Sequence, residues 1–305
     1  MKTPNADRAR ILVHALPYIK KYNGKIVVIK YGGNAMTSEK LKDSVMRDIV
    51  LLSLIGVKVG LVHGGGPEIT ELLSNIGTET TFVDGLRVTD KETIEAAQMV
   101  LAGKINKNLV NLIECRGGKS IGLSGIDGHM IKAKVKDEHL GYVGSITDID
   151  PTPITDVLEK GYIPVVSTLG CDDDGNVYNI NADTAAAKIA GALKAESLIS
   201  LTDTPGILAD KNNPESLISH ITVEETKALI ADGTISDGMI PKVECCTGAI
   251  RDGVKKVFII DGRIPHSLLI ETLTDEGIGT MFEEKTEEMQ SEEIQAEEEH
   301  GDEYI

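Results

Sequence analysis

Apolar positions along the chain alternate between short continuous runs and stripes with helical spacing. Residues 25–30, Lys-Ile-Val-Val-Ile-Lys, predict a short buried strand, and 38–55 a helix. Residues 57–63 predict a second strand, which runs into Gly64-Gly65-Gly66-Pro67 and then a helix. Further short apolar runs at 119–123, 163–167, 197–201 and 256–260 predict strands. Helices are predicted over 90–102, 182–194 and 264–273, and Thr89…Glu92 and Thr222…Glu225 read as capping boxes. Asp172-Asp173-Asp174-Gly175-Asn176 reads as a hairpin turn. At the start, Thr3-Pro4 has the form of a helix opening. Ile11, Leu12, Ala15, Leu16 and Ile19 follow at helical spacing, with Pro17 as the point where that helix kinks or ends. Strands alternating with helices argue an α/β fold: a mostly parallel sheet covered on both faces.

Composition narrows the function. The chain has 305 residues and a formal charge of −17. Residues 283–305 hold 11 acidic residues against one Lys, a balance of −10, so the other 282 carry −7. An acidic chain with 3% aromatics and no Trp offers no footprint for nucleic acid. No apolar stretch approaches the roughly 20 residues that span a bilayer, and no signal peptide is visible at the N-terminus. Cys115, Cys171, Cys245 and Cys246 form no C-x-x-C pair and read as reduced, which points to the cytoplasm. The acidic tail lacks the apolar content to fold alone and is expected to be a disordered, solubilising segment.

Candidate chemistry gathers at strand ends, where ligands bind in open α/β sheets. Lys30-Tyr31-Gly32-Gly33-Asn34 and His63-Gly64-Gly65-Gly66-Pro67 both stand there. Glycines let backbone N–H groups approach a ligand oxygen, and the helix after Pro67 aims its positive dipole end the same way. Tight turns alone would also explain the glycines. The chain lacks both G-x-x-x-x-G-K-[ST] and a strand-linked G-x-G-x-x-G, which excludes a P-loop and argues against a dinucleotide site. His63 is a conceivable general base, although a His at a strand end more often packs locally. Arg87 stands before a predicted helix, placed to fork onto a carboxylate or to form a surface ion pair. Asn179 and Asn181 share one face of an extended segment, and Asp183 opens the next helix, where simple capping would also explain it. Ser236-Asp237-Gly238-Met239-Ile240-Pro241-Lys242 is a glycine loop ending in a Lys.

Together, Val28-Ile29-Lys30-Tyr31-Gly32-Gly33-Asn34-Ala35-Met36, Val62-His63-Gly64-Gly65-Gly66-Pro67, Gly85-Leu86-Arg87-Val88-Thr89, Asn179-Ile180-Asn181-Ala182-Asp183 and Asp237-Gly238-Met239-Ile240-Pro241-Lys242 resemble the N-acetyl-L-glutamate kinases of the amino-acid kinase family, in order and spacing over residues 5–282. The resemblance implies an open αβα sandwich around a mostly parallel sheet of about eight strands. It implies ATP-dependent phosphorylation of the γ-carboxylate of N-acetyl-L-glutamate, the second step of arginine biosynthesis, with Mg²⁺ accompanying ATP and no dedicated metal-ligand cluster. It divides the chain into an N-terminal helix over 1–23, an acyl amino acid lobe over 24–180, a nucleotide lobe over 181–282 and the acidic tail over 283–305.

By position, Lys30 and Lys242 match the lysines that stabilise the transferring phosphoryl, and Asp183 the carboxylate that orients both. Gly33, Gly65 and Gly66 match backbone donors. Arg87 matches the group for the substrate α-carboxylate and Asn179 that for the acetamido group, with Asn181 alongside. Thr202, Asp203, Gly206 and Leu208 match the nucleotide loop, and Ser236, Gly238 and Met239 line it. The kinked helix before the first strand resembles the ring-shaped hexamers inhibited by L-arginine. Tyr18, Lys194, His266, Glu276 and Gly279 fall in segments that look like the arginine site. Two rivals carry the same motifs: a kinase for another N-acylated or carrier-linked amino acid, and a non-catalytic amino-acid sensor.

Overall fold

The computed structural model describes residues 5–36 and 38–285. Its first part runs α1 (Asn5–His14), α2 (Leu16–Tyr22), β1 (Ile26–Tyr31), α3 (Glu39–Leu54), β2 (Lys58–His63), α4 (Gly66–Asn75), β3 (Phe82–Val83) and β4 (Leu86–Arg87). The middle comprises α5 (Lys91–Gln98), α6 (Asn106–Glu114), β5 (Ser120–Ser124), β6 (Ile131–Val135), β7 (Gly144–Ile149), α7 (Thr152–Glu159), β8 (Ile163–Ser167), β9 (Leu169–Cys171) and β10 (Val177–Asn179). The last part adds α8 (Ala182–Ala192), β11 (Ser197–Thr202), β12 (His220–Thr222), α9 (Glu225–Ala231), α10 (Ile240–Arg251), β13 (Lys256–Asp261), α11 (Ser267–Leu273) and β14 (Thr280–Glu283).

Eight strands form the main sheet in the order β12-β14-β13-β11-β1-β2-β8-β5. The pairings from β13 to β5 are parallel, and β14 lies antiparallel to β13. The expected open αβα sandwich is thus the observed one. A smaller sheet, β10-β9-β6-β7, and the β3–β4 hairpin stand beside it.

The inner strands read clearly because both faces are covered. In β1, Val27, Ile29 and Tyr31 join one apolar core, with α3, α5 and α6. Val28 joins the other, with α8 and α10. Period-two alternation therefore puts Lys30 on the α8 side. The parallel register sets Lys30 beside Ser200 of β11 and Val62 of β2. The carboxyl ends of β1, β2 and β11 consequently open at one edge of the sheet.

Several local expectations change. Thr3-Pro4 lies outside the described residues, as does the acidic tail beyond Lys285. The N-terminal helix breaks at Ala15, and Pro17 occupies the first turn of α2, where its missing N–H costs nothing. The helix expected over 90–102 continues to Glu114 through a π-helical stretch, Met99–Ile105. Its cap is Asp90, which accepts from Thr93 N at 2.8 Å, while the Thr89 hydroxyl donates to Arg87 O. The box at Thr222 and Glu225 is reciprocal: Thr222 N donates to Glu225 Oε2 at 2.6 Å and Glu225 N to Thr222 Oγ1 at 3.3 Å. The helix expected from 264 begins at Ser267. Strand β14 carries Glu283 into the sheet, one residue inside the expected tail, where it pairs with His220 and Lys256 at 2.9 and 2.8 Å.

Candidate active site

Three charged groups meet at the open edge of the sheet. Lys30 Nζ lies 2.9 Å from Asp183 Oδ1, and Lys242 Nζ lies 3.1 Å from Asp183 Oδ2. Each comes from a different element: Lys30 from β1, Asp183 from the first turn of α8, Lys242 from the first turn of α10. Packing of α10 against α8, and of α8 against β1, brings them together. Asp183 is not the cap of its helix. Asn181 is, accepting from Asp183 N and Thr184 N at 3.0 and 3.1 Å. The Asp183 carboxylate is thereby left to the lysines, and Ser200, the register partner of Lys30, adds a hydroxyl at 3.4 Å. Burial alone would raise the pKa of Asp183, but the two lysine charges outweigh it and hold the group at about 2. The triad is one carboxylate between two cations, a net positive charge fixed in a partly dry place.

Next to it lies a cleft of about 180 Å³, whose lining includes Gly64, Gly65, Gly66, Arg87, Asn179 and Asn181. Ala182 also lines it, so one residue step along α8 separates cleft from triad. Close packing favours glycine at Gly64 and Gly65, whereas a Cβ at Gly66 would meet only Arg87 Nη2, at 4.0 Å. A Cβ at Gly65 would stand 2.2 Å from Ile105 Cδ1, and one at Gly64 3.2 Å from Ala182 Cβ. Ile105 and Leu101 press on Gly65 from the π-helical stretch.

Arg87 is 6% exposed and makes no ion pair with any described carboxylate, so the surface-pair reading fails. Its Nη2 donates to Gly66 O and Thr70 Oγ1, both at 2.8 Å, and its guanidinium carbon lies 4.8 Å from the centre of the Phe82 ring. Its Nη1 is buried with no partner. Burial lowers its pKa from the usual value, yet a guanidinium stays charged at neutral pH. A buried, charged donor without an acceptor is costly unless a ligand supplies one. Asn179 donates to Thr89 Oγ1 at 3.5 Å.

His63 is fully buried. Its Nδ1 lies 3.0 Å from Gly64 O and its Nε2 3.2 Å from Asn106 Nδ2. Nδ1 therefore carries the proton and Nε2 accepts from the amide. Burial pushes its pKa down to about 4. The local-packing reading holds, and a general base there is corrected to a structural imidazole.

The remaining predicted residues fall elsewhere. Gly33 sits in the turn after β1 with φ +67°, exposed and outside the cleft lining. Thr202 ends β11, and its hydroxyl donates to Thr204 O at 3.0 Å; Asp203 follows it. Gly206, at φ +144°, passes so close to Thr280 that a Cβ would stand 2.5 Å from its hydroxyl. Leu208 bridges to Leu217. Ser236 accepts from Met239 N through its carbonyl at 3.1 Å, and Gly238 is exposed between them, just ahead of Lys242. Thus the Lys242 end of that loop adjoins the triad.

Of the arginine-site residues, Tyr18 on α2 packs against the core that contains Leu268 of α11. His266, at φ +62°, precedes α11 and places Nδ1 2.6 Å from Asp48 of α3. Glu276 and Gly279 follow α11, Gly279 with its Cα so near Ile259 O that a Cβ would be 2.2 Å away. Lys194 stands apart, before β11, donating to Asp252 O at 2.7 Å. Among the described residues no hydrogen bond or ion pair links these five to one another. Sequence reading missed Thr70, Phe82 and Ser200. Thr70 lies four residues after Gly66 on one helix face, and Ser200 is visible only through strand register.

A carboxylate between two lysines, beside a small cleft holding a buried arginine, at the open ends of a parallel sheet, is the equipment of a phosphotransferase for small acids. The chain belongs to the amino acid kinase family, whose model matches residues 25–261. It is 59% identical over 280 residues to the acetylglutamate kinase of Brachyspira hyodysenteriae, covering 91% of this chain and 97% of that one. It is 53% identical over 281 residues to the acetylglutamate kinase of Clostridium beijerinckii, covering 91% and 99%. Among solved structures it superposes on N-acetylglutamate synthase of Neisseria gonorrhoeae, complexed with coenzyme A and N-acetyl-glutamate. The TM-score is 0.80 at 25% identity, covering 96% of this chain and 70% of that one.

Proposed function

We propose that the chain transfers the γ-phosphoryl group of ATP to the γ-carboxylate of N-acetyl-L-glutamate, giving N-acetyl-L-glutamyl 5-phosphate in arginine biosynthesis. The observation that carries this reading is the Lys30–Asp183–Lys242 triad adjoining the arginine cleft. Attack of a carboxylate on a phosphoryl group brings two anions together, so positive charge must already be in place. The acceptor needs no base, because a γ-carboxylate is ionised at neutral pH. Lys30 and Lys242 would hold the transferring oxygens, and Asp183 keeps the two ammonium groups oriented at a fixed separation. Arg87 would take the substrate α-carboxylate, Asn179 its acetamido group, and Asn181 would stand alongside. Gly33, Gly65 and Gly66 would present backbone N–H groups.

The nucleotide belongs on the C-terminal half, 181–282, over Thr202, Asp203, Gly206 and Leu208 and beside Ser236, Gly238 and Met239. The acyl amino acid belongs on 24–180. Among the described residues no group of three or more His, Cys, Asp or Glu could hold a metal ion, and both Asp183 oxygens already face lysines. That donor set fits a divalent ion, Mg²⁺, arriving on the nucleotide phosphates as part of the substrate.

The N-terminal helix supports oligomerisation. Ile11, Leu12 and Val13 are 64, 74 and 68% exposed on α1, whereas Tyr22 at the end of α2 is buried in the core. Such a helix buries its apolar face against something else, here further copies in a hexamer. L-Arginine would act as inhibitor through Tyr18, His266, Glu276, Gly279 and Lys194. No described helix is long and apolar enough to cross a membrane, and the cytoplasm is the compartment that suits the reduced cysteines. A coupled assay with ATP and N-acetylglutamate, run beside glutamate, aspartate and carbamate, tests the activity. Saturable turnover of N-acetylglutamate alone is expected, and turnover of none of the four would overturn the reading.

A further inference from the structure

The best-defined contact in the cleft has an unassigned member. Arg87 offers five N–H donors in a rigid fork. Both bonds from Nη2 are made within the protein, one to Gly66 O and one to Thr70 Oγ1, each at 2.8 Å. The Thr70 hydroxyl in turn donates to Gly66 O at 3.0 Å. Gly66 O, Thr70 Oγ1 and Arg87 Nη2 therefore close a three-membered ring of hydrogen bonds at the first turn of α4. The hydroxyl accepts from the guanidinium and donates to the carbonyl, so its lone proton has one place to go. The ring fixes the fork in rotation about its own axis and leaves Nη1 buried and unpartnered. Phe82, paired with Arg87 across the β3–β4 hairpin, lies against one face of the guanidinium.

We infer that Thr70 is a positioning residue for the acyl amino acid: it holds Arg87 so that Nη1 is kept for the substrate α-carboxylate. Thr70 itself is exposed and not among the residues lining the cleft, so it acts on the substrate only through Arg87. This rests on the assignment of Arg87 to the α-carboxylate proposed above. Without the hydroxyl, Nη2 keeps only Gly66 O as acceptor, and the guanidinium is held by one bond where it had two. Binding of the acceptor then weakens, while the triad and the nucleotide, on other elements, are unaffected.

Thr70→Val, which keeps the shape of the side chain, should raise KM for N-acetylglutamate about 10-fold, the scale of a lost hydrogen bond to a charged group. KM for ATP and kcat should stay within about twofold, a split that loss of packing around α4 would not produce. Thr70→Ser, which restores the hydroxyl, should return KM to near the wild-type value. In an Arg87→Lys background, which lacks the fork, adding Thr70→Val should change KM no further. Equal KM in wild type and Thr70→Val would remove the inference, as would a Ser variant no better than Val, or additive effects in the double variant. Those outcomes leave the proposed activity standing, whereas a wild-type enzyme that does not turn over N-acetylglutamate removes the activity and this inference with it.

Discussion

The charged triad and the arginine cleft sit one residue apart on α8, yet they handle charge in opposite ways. At the triad every charge has its partner before any ligand arrives: two ammonium groups share the two oxygens of Asp183. In the cleft, Arg87 is more deeply buried than Asp183 or Lys242 and pairs with no carboxylate among the described residues. Pairing at the triad sets geometry, because each lysine is held at a fixed point, which on the proposed reading is where negative charge develops. Leaving Arg87 unpaired sets affinity, because a buried donor is satisfied only when an anion enters. On the proposed reading, the first arrangement would favour the transition state of transfer and the second the binding of the acceptor.

The largest test of this contrast is removal of a triad cation. Lys30→Ala or Lys242→Ala should lower kcat roughly 10²-fold or more, by analogy with deletion of an oxyanion donor. Steady-state rates with saturating ATP and N-acetylglutamate measure it. Near-normal kcat in both variants would put the chemistry elsewhere.

Next in size is Arg87→Lys. A lysine keeps the charge but lacks the planar fork. KM for N-acetylglutamate should rise about 10- to 100-fold, the range of a lost hydrogen bond to a charged group, with a smaller change in kcat. A fall confined to kcat would blur the distinction between the two regions.

The sequence conveyed these two regions unequally. Lys30 was legible because β1 is an apolar run buried on both faces, and its period assigns Lys30 to one side. Strands β2, β8, β11 and β13 were visible for the same reason. Strand β6, Ile-Lys-Ala-Lys-Val, alternates with apolar residues too small and too few to stand out. Strand β14 ends in a glutamate that composition groups with the acidic tail, because its partners His220 and Lys256 are far away in sequence. Asp183 was ambiguous in a different way. Asn181 and Asp183 are both good capping residues two positions apart, and only the fold decides which one caps. Thr70 carried no local signal, since its function comes from an arginine 17 residues on.

A third test separates the regions by pH. In the folded protein Asp183 is held at about 2, against 3.8 for the free group. Its unfolded form takes up a proton first as pH falls. The pair's contribution to stability is therefore fully present above 3.8 and is lost as pH drops through about 2. Urea midpoints of wild type and Asp183→Asn should differ by a constant amount from pH 7 to about 4.5, and the gap should narrow below. Arg87 does not titrate in this range, so an Arg87→Lys variant should show no such narrowing. A gap that narrows between pH 7 and 5 would mean that another group supplies the pairing.

The smallest expected effect concerns His63, which immediately precedes Gly64 of the cleft lining and is the candidate base that the sequence offers. Burial holds its pKa at about 4, against 6.5 for an exposed imidazole, so it is neutral throughout the working range. Neutrality alone would suit a base. What denies it the role is geometry: the ring is fully buried, Nδ1 donates to Gly64 O and Nε2 faces the Asn106 amide, so neither nitrogen reaches a substrate. The kcat of the wild type should then show no limb near pH 6.5. His63→Gln, which puts an amide in place of the imidazole in the same network, should leave kcat within about threefold while lowering thermal stability by the cost of an imperfectly met buried hydrogen bond. A pH limb that disappears in that variant would make His63 a participant, and the division of labour between a paired triad and an unpaired arginine would have to admit a third member.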